Sequence, residues 1–421
     1  MYKTEILSRI PSQILTVLQE IGQLAGETGL SAYAVGGLVR DFLLNRENSD
    51  FDVAVEGDAI GLAQCLFERW EGKIHVHSEF GTGTLTRSDG LKIDFVSARR
   101  ETYPRPGALP LIRFGTILDD LHRRDFSINA LAVSLNPATF GELVDRTNGL
   151  RDLQTGQIRA LHDRSFIDDP TRIFRAIRYE GRYGFQIVDS DQKHMRDAID
   201  KGVLDLISGQ RIRNEISRIL PEASAPQMIR RMQDFDIFQK IHKGWEPTQN
   251  FDTLFHTALH AVDWADRHLV NDSVDTASLY WMALLRDKSV IESVKNRLSL
   301  ENQLGKILIA KARLENVLAT LSENSTRSEV YKLLKSFPIE ALAFSIAEPD
   351  QPHWCAAKIK EYLTDLRLAQ PLINGTDLIQ LKLTPGPKFA EMLWNAFAAQ
   401  LDGKIQSKQE AFQFLGRFNG N

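Results

Sequence analysis

The sequence is short of cysteine, of basic excess and of long apolar runs, and each shortage removes a class of protein. Its 421 residues hold two cysteines, Cys65 and Cys355, too few and too far apart for a disulfide framework or a zinc knuckle. That usage fits a reducing cytoplasm, the expected location. No stretch approaches the roughly 18 apolar residues of a membrane span. Lys3, Glu5 and Arg9 interrupt the segment where a signal peptide would carry its apolar core, so no membrane partner is expected. Lys and Arg number 51 against 55 Asp and Glu, a net charge of −4. A protein coated in positive charge is excluded, but a local basic face for nucleic acid is not. No internal repeat or low-complexity tract is visible.

What is present is ordinary globular material: 43% apolar and 25% charged residues, in a length that predicts two to four domains. Ile14, Leu15, Val17, Leu18, Ile21 and Leu24 give residues 1–30 the spacing of an amphipathic helix. Short strands follow at 33–35 and 51–55, with helices at 38–44 and 59–70. Segments 82–86 and 92–96 pair as a hairpin across Ser88, Asp89 and Gly90. After about Asp152 strand signals nearly vanish, and helical spacing recurs between breaks at Pro221, Pro247, Asn271, Pro338, Pro349 and Pro371. The expected class is α+β, a compact α/β head followed by a long all-helical arm.

The segment SDFDVAV at 49–55 carries the chemistry. Side chains on a strand alternate faces, so Asp50 and Asp52 point one way while Phe51, Val53 and Val55 supply the buried face. Two carboxylates side by side repel unless a cation sits between them. Alone, such a pair reads equally as a solvated strand face. The Gly36–Gly37 turn just before it opens a helix, where backbone N–H groups can cradle phosphate. A third carboxylate, Asp94, lies in the strand KIDFV. Three carboxylates on neighbouring strands are an oxygen set that Mg²⁺ accepts. Two such ions about 3.5–4 Å apart can activate a hydroxyl and stabilise leaving pyrophosphate.

GGLVRDFLL at 36–44 followed by DFD at 50–52 resembles the signature of the class II tRNA nucleotidyltransferases, the CCA-adding enzymes, and of the related bacterial poly(A) polymerases. RRDFSINALAV at 123–133, LVDRTNGLRDL at 143–153, DDPTRIFRAIRYEGRYGF at 168–185 and QRIRNEI at 210–216 match the same family in the same order. The resemblance implies a polymerase β-like nucleotidyltransferase head at 1–147, a nucleobase-reading neck at 148–220, a helical body at 221–325 and a tail at 326–421 that grips the tRNA elbow. It implies Mg²⁺ at Asp50 and Asp52, with Asp94 as a further catalytic carboxylate. It assigns Gly36, Gly37, Arg40, Arg123, Arg124, Asp125 and Asn129 to ribose and triphosphate. Taken alone, Arg123 and Arg124 read equally as a helix-start salt bridge to Asp125.

Within DDPTR, Pro170 suits the first turn of a helix and Asp169 its N-cap. Arg172, Arg175, Arg178 and Arg182 fall on one arc, with Ile173, Phe174 and Ile177 roughly opposite. An arginine face of this kind is either solvated or meets acceptors. The resemblance assigns Asp168, Asp169, Arg172, Arg175 and Arg178 to the incoming base. Cytosine and adenine both set an amino donor beside a ring-nitrogen acceptor, while a carboxylate only accepts and a guanidinium only donates. Uracil and guanine present the reverse pattern. Two lost charged hydrogen bonds imply discrimination on the order of 10²–10⁴-fold. Arg211 and Glu215, at i and i+4, are expected to brace the neck helices without touching chemistry.

INGTDLIQLKLTPGP at 373–387 and DGKI at 402–405 resemble the family's tail. His256 and His260 stand at i and i+4, but the matching helix at 281–287, WMALLRD, lacks the His–Asp dipeptide of a phosphohydrolase. Both are read as partly buried helix residues, and no zinc site is expected. The expected activity is template-independent addition of C and A from CTP and ATP to the tRNA 3′ end, the protein binding acceptor stem and elbow. A-only addition stays open. CC-only addition is disfavoured because the stretch 101–122 is not shortened. Poly(A) polymerase and an inactive RNA-binding module are the remaining alternatives. Oligomeric state stays open.

Overall fold

The computed structural model describes residues 7–46, 51–77, 81–247, 250–270, 272–300, 303–380 and 386–418. The chain divides into two compact units, Met1–Ile241 and His242–Asn421. The first holds the residues read as head and neck together with 221–241. No helix of the described residues is long and apolar enough to cross a membrane.

The first unit opens with a helix at Ser12–Glu27, shorter than the helix expected over 1–30. Its buried face is Val17, Leu18, Ile21, Leu24 and Ala25. It ends where the Thr28 hydroxyl donates to the Leu24 carbonyl at 3.0 Å and Gly29 takes φ +72°. Strands β1 (Ser31–Val35), β2 (Phe51–Glu56), β3 (Gly72–His77), β4 (Thr82–Arg87), β5 (Lys92–Ser97), β8 (Leu131–Ser134) and β9 (Leu143–Asp145) form one sheet in the order β3-β4-β5-β2-β1-β8-β9. Strands β6 (Arg99–Thr102) and β7 (Leu111–Phe114) make a separate antiparallel hairpin. Only β2 and β5 run parallel within the large sheet. The expected turn forms between β4 and β5, with Gly90 at φ +89°. The apolar side chains of β2 and β5, with Val53, Val55 and Phe95 fully buried, pack on helices Ser12–Glu27 and Ala59–Arg69. The opposite pleat carries Asp52 and Asp94 beside Ala54 and Val96, which pack with Ile117 and Leu121.

The helices that follow are Gly149–Thr155, Ser165–Asp168, Thr171–Tyr183, Asp189–Asp200, Gly209–Ile219, Ala225–Asp234 and Ile237–Ile241. The helix expected to start at Asp169–Pro170 runs over Thr171–Tyr183, with the short helix Ser165–Asp168 just before it. Two residual strands, β10 (Gln157–Ile158) and β11 (Gln186–Ile187), pair in parallel where no strand was expected.

The second unit is helical throughout its described residues, from Phe251–His268 to Lys408–Phe418. Lys311 is 7% exposed and lies among Glu315 at 3.2 Å and Glu348 at 3.1 Å, while Lys288 and Arg286 reach the same two carboxylates. His256 and His260 are exposed on helix Phe251–His268, not partly buried as expected. In the tail segment, Gly375–Gln380 forms a helix, and Asn374 Oδ1 accepts from Thr376 N at 2.9 Å; residues 381–385 lie outside the described residues.

Candidate nucleotide-binding and catalytic site

Asp52 and Asp94 are direct register partners on parallel β2 and β5, so their side chains leave the sheet on the same face. The Asp94 carboxylate accepts from Thr84 Oγ1 at 2.5 Å and from Lys92 Nζ at 3.1 Å. Asp50, expected beside Asp52, lies outside the described residues. The described pair fits a hard divalent cation by its chemistry: two adjacent carboxylates on one face of the sheet, without soft ligands.

Gly36, at φ +68°, closes β1 and opens helix Gly37–Leu43. A Cβ there would stand 2.4 Å from Arg124 Nη1 and 3.9 Å from Asp52 Oδ2. The glycine therefore does more than turn the chain: its missing side chain lets a guanidinium lie across the turn, close to Asp52.

Arg124 is held there by Asp120, a fully buried carboxylate that also takes Arg123. Asp120 accepts from Arg124 Nη2 at 2.8 Å and Arg123 Nη2 at 2.7 Å, and Glu101 adds a contact to Arg123 at 3.2 Å. Burial alone would raise the Asp120 pKa, but the two guanidinium groups outweigh it and hold the acid below its ordinary value. The salt bridge to Asp125 that Arg123 and Arg124 could have made is not formed. Asp125 instead receives Arg175 Nε at 2.7 Å and Asn129 Nδ2 at 2.9 Å. Burial opposes its ionisation, yet Arg175 and Asn129 bring its pKa down to about 2. Asn129 in turn accepts from Arg40 Nη1 at 2.5 Å, and Arg40 is clasped by Asp41 and covered by Tyr183, 4.8 Å from the ring centre. Arg40 is thus committed to protein partners while still bordering the cavity.

That cavity, about 490 Å³, is lined by Gly37, Arg40, Asp52, Arg123, Arg124, Asp125, Asn129, Asp169, Arg172, Arg175 and Arg178 among the expected residues. Gly36 sits beneath Arg124, and neither Asp94 nor Asp168 is on the wall. Asp168 faces Arg164 at 3.2 Å instead.

Asp169 Oδ1 accepts from Thr171 N at 3.1 Å and Thr171 Oγ1 at 2.6 Å, but it stands one residue before Pro170, which takes the N-cap position expected for Asp169 on helix Thr171–Tyr183. It also accepts from Arg211 Nη2 at 2.8 Å, and Arg211 Nη1 donates to the Gly107 carbonyl at 2.7 Å. The expected Arg211–Glu215 brace is therefore not made: Arg211 reaches across to Asp169, and Glu215 pairs with Arg218 at 2.5 Å. Arg172, 4% exposed, donates to Ser165 Oγ at 2.6 Å and the Arg123 carbonyl at 2.9 Å. Those bonds fix its plane and leave further N–H groups of the fork.

Sequence reasoning passed over Asp41, Glu101, Tyr103, Thr171 and Tyr179, and placed Arg182 only on the arginine arc and Glu215 only in a brace; all seven line the cavity. Burial pushes the Tyr103 hydroxyl up to about 12, so it stays a neutral donor beside Arg172 and Glu101. A legible signal existed for Asp120, which stands at i−3 and i−4 to the two arginines. None existed for Tyr103, whose loop reaches the wall only through the tertiary fold.

The glycine turn beneath Arg124, Asp52 on the sheet and the arginine-faced helix Thr171–Tyr183 meet on one cavity of the first unit. A family model described as the Poly A polymerase head domain matches residues 32–159. The A-adding tRNA nucleotidyltransferase of Geobacter sulfurreducens is 34% identical over 417 residues, covering 97% of this chain and 47% of that protein. The chain thus spans about half the length of that relative. The A-adding tRNA nucleotidyltransferase of Halalkalibacterium halodurans is 32% identical over 418 residues, with 96% of this chain and 92% of that one covered. A solved complex of a CCA-adding enzyme with CTP superposes with a TM-score of 0.81 at 31% identity, covering 100% of this chain and 99% of the other. The chain belongs to the tRNA nucleotidyltransferase family.

Proposed function

We propose that this protein adds C and/or A, from CTP and ATP, to the 3′ end of tRNA without a template. The observation that carries the reading is one cavity whose wall holds Arg124 and Asp52 together with Asp169 and Arg172. The RNA 3′-hydroxyl oxygen attacks the α-phosphorus, the bond to pyrophosphate breaks, and the hydroxyl proton passes to a carboxylate or to solvent. Arg123 and Arg124, fixed by Asp120, meet the triphosphate. Asp52 and Asp94, with Asp50, would hold Mg²⁺, which when bound supplies charge neutralisation at the reacting phosphate. Asp169 accepts the base's amino hydrogen and Arg172 donates to its ring nitrogen.

A second reading, addition of A alone, draws on the two A-adding relatives that match nearly all of this chain. One experiment addresses both. Transcripts lacking the CCA end, ending after the second C, or complete are offered CTP and ATP separately. C on the first and A on the second is the full activity; A on the second alone is the narrower one. No incorporation on any transcript would sink the proposal.

A further inference from the structure

Four arginines line one arc of helix Thr171–Tyr183, and three are committed within the protein. Arg172 holds Ser165 and the Arg123 carbonyl, Arg175 holds Asp125, and Arg182 holds Glu222. Arg178 differs. It is 8% exposed and lines the cavity; its ring contact is the Tyr179 face, 5.0 Å away, and its Nε donates to nothing among the described residues. Across from it on helix Gly209–Ile219, Glu215 is 5% exposed and lines the same cavity. Its Oε1 accepts from Arg218, while the buried Oε2 accepts from nothing among the described residues. A buried donor and a buried acceptor both left unmet, on one wall, mark a place where a ligand completes the bonding.

The chemistry matches that of Asp169 and Arg172: a carboxylate that only accepts beside a guanidinium that only donates. Arg178 stands six residues beyond Arg172, about 9 Å along the helix axis. One base cannot offer its Watson–Crick edge to both pairs. The reaction needs a second nucleotide in this cavity, the one whose 3′-hydroxyl attacks. Before A is added that nucleotide is a cytosine, whose amino donor and ring acceptor have the sense this pair requires. We propose that Glu215 and Arg178 read the base of the last nucleotide of the growing RNA end, Glu215 Oε2 accepting its amino group and Arg178 donating to its ring acceptor. The inference rests on the tRNA reading above and extends it from the incoming base to the accepting one.

The test uses the full chain, ATP, and transcripts ending after the second C, with the terminal base either cytosine or 2-pyrimidinone, which lacks the amino group. For the unaltered protein, removing that group is expected to raise the transcript KM about tenfold. Glu215→Gln and, separately, Arg178→Lys should each raise KM for the cytosine end. In Glu215→Gln the penalty for removing the amino group should shrink to within about twofold, and ATP over GTP preference should not move. Indifference of the unaltered protein to the amino group overturns the inference without any variant having to fold. A full penalty surviving in Glu215→Gln, or a shift in ATP over GTP preference instead, overturns it too. Incorporation that ignores the terminal base defeats this inference alone, whereas no incorporation at all defeats the tRNA reading with it.

Discussion

Lys311 in the second unit and Arg178 in the first are both cations with less than a tenth of their surface exposed. Around Lys311 the charges are balanced: Glu315 and Glu348 face it, and Arg286 and Lys288 pair with those carboxylates from outside, although Glu348 Oε1 accepts no hydrogen bond among the described residues. Around Arg178 the partners are an aromatic face and open cavity. Removing a charge from water is costly in both places, so the difference lies in what repays it. In the helical unit the protein repays it at once, and the cluster fastens helices Gln303–Leu318 and Ile339–Ala347 with their neighbours. In the cavity the compensation is left for whatever binds.

The sharpest break in that contrast is Asp52→Ala. It should lower incorporation of every nucleotide by roughly 10³-fold or more, while a gel-shift titration finds tRNA binding nearly unchanged. Activity near the unaltered level would take Asp52 out of the chemistry. Lys311→Ala should do the opposite, costing about 1–3 kcal/mol of stability in a denaturant titration by taking the buried partner from two carboxylates that keep only Arg286 and Lys288. Nucleotide selection in the surviving folded fraction should hold. Arg172→Ala should compress the preference for ATP and CTP over GTP and UTP by about 10²-fold, read from kcat/KM ratios.

A smaller effect concerns acid. The Asp125 pKa is about 2 when folded against an ordinary 3.8, so its stabilisation is complete above about pH 4 and is lost as pH falls toward 2. The gap corresponds to about 2 kcal/mol. Asp125→Asn should therefore flatten that part of the stability profile; an unchanged acid limb would assign it to other carboxylates. Lys92→Ala should be the mildest. Its pair with Asp94 is about half exposed on both sides, and a melting curve should register less than about 1 kcal/mol.

Strands β1, β2, β4 and β5 were legible because apolar residues alternate under turn residues, and the placing of Asp52 and Asp94 on neighbouring strands followed from the same alternation. Strand β3 was not. It is an edge strand with most of its residues exposed, so little burial imprints its sequence. Helices Asp189–Asp200 and Ile339–Ala347 escaped for opposite reasons. One is mostly polar, anchored by buried Asp191 bonding Ala160 N at 2.6 Å, and the other is so apolar that it shows little amphipathic contrast. At the site, the arginine arc of 172–182 was readable from spacing. That Arg175 is committed to Asp125 while Arg178 Nε has no hydrogen-bond partner among the described residues was not, because it depends on what each side chain meets in the tertiary fold. Glu215 was misread for the same cause: an i, i+4 pairing is the local default, and Arg211 had a better offer from Asp169.

Helix Thr171–Tyr183 is stitched to residues before 147 by Arg175 on Asp125 and Arg172 on the Arg123 carbonyl, both inside the first unit. Those ties leave the base-facing wall few degrees of freedom of its own. On the proposed function, successive nucleotides would then meet a wall of nearly fixed shape, and a change of choice between them would have to come from what the lengthening RNA end places opposite it.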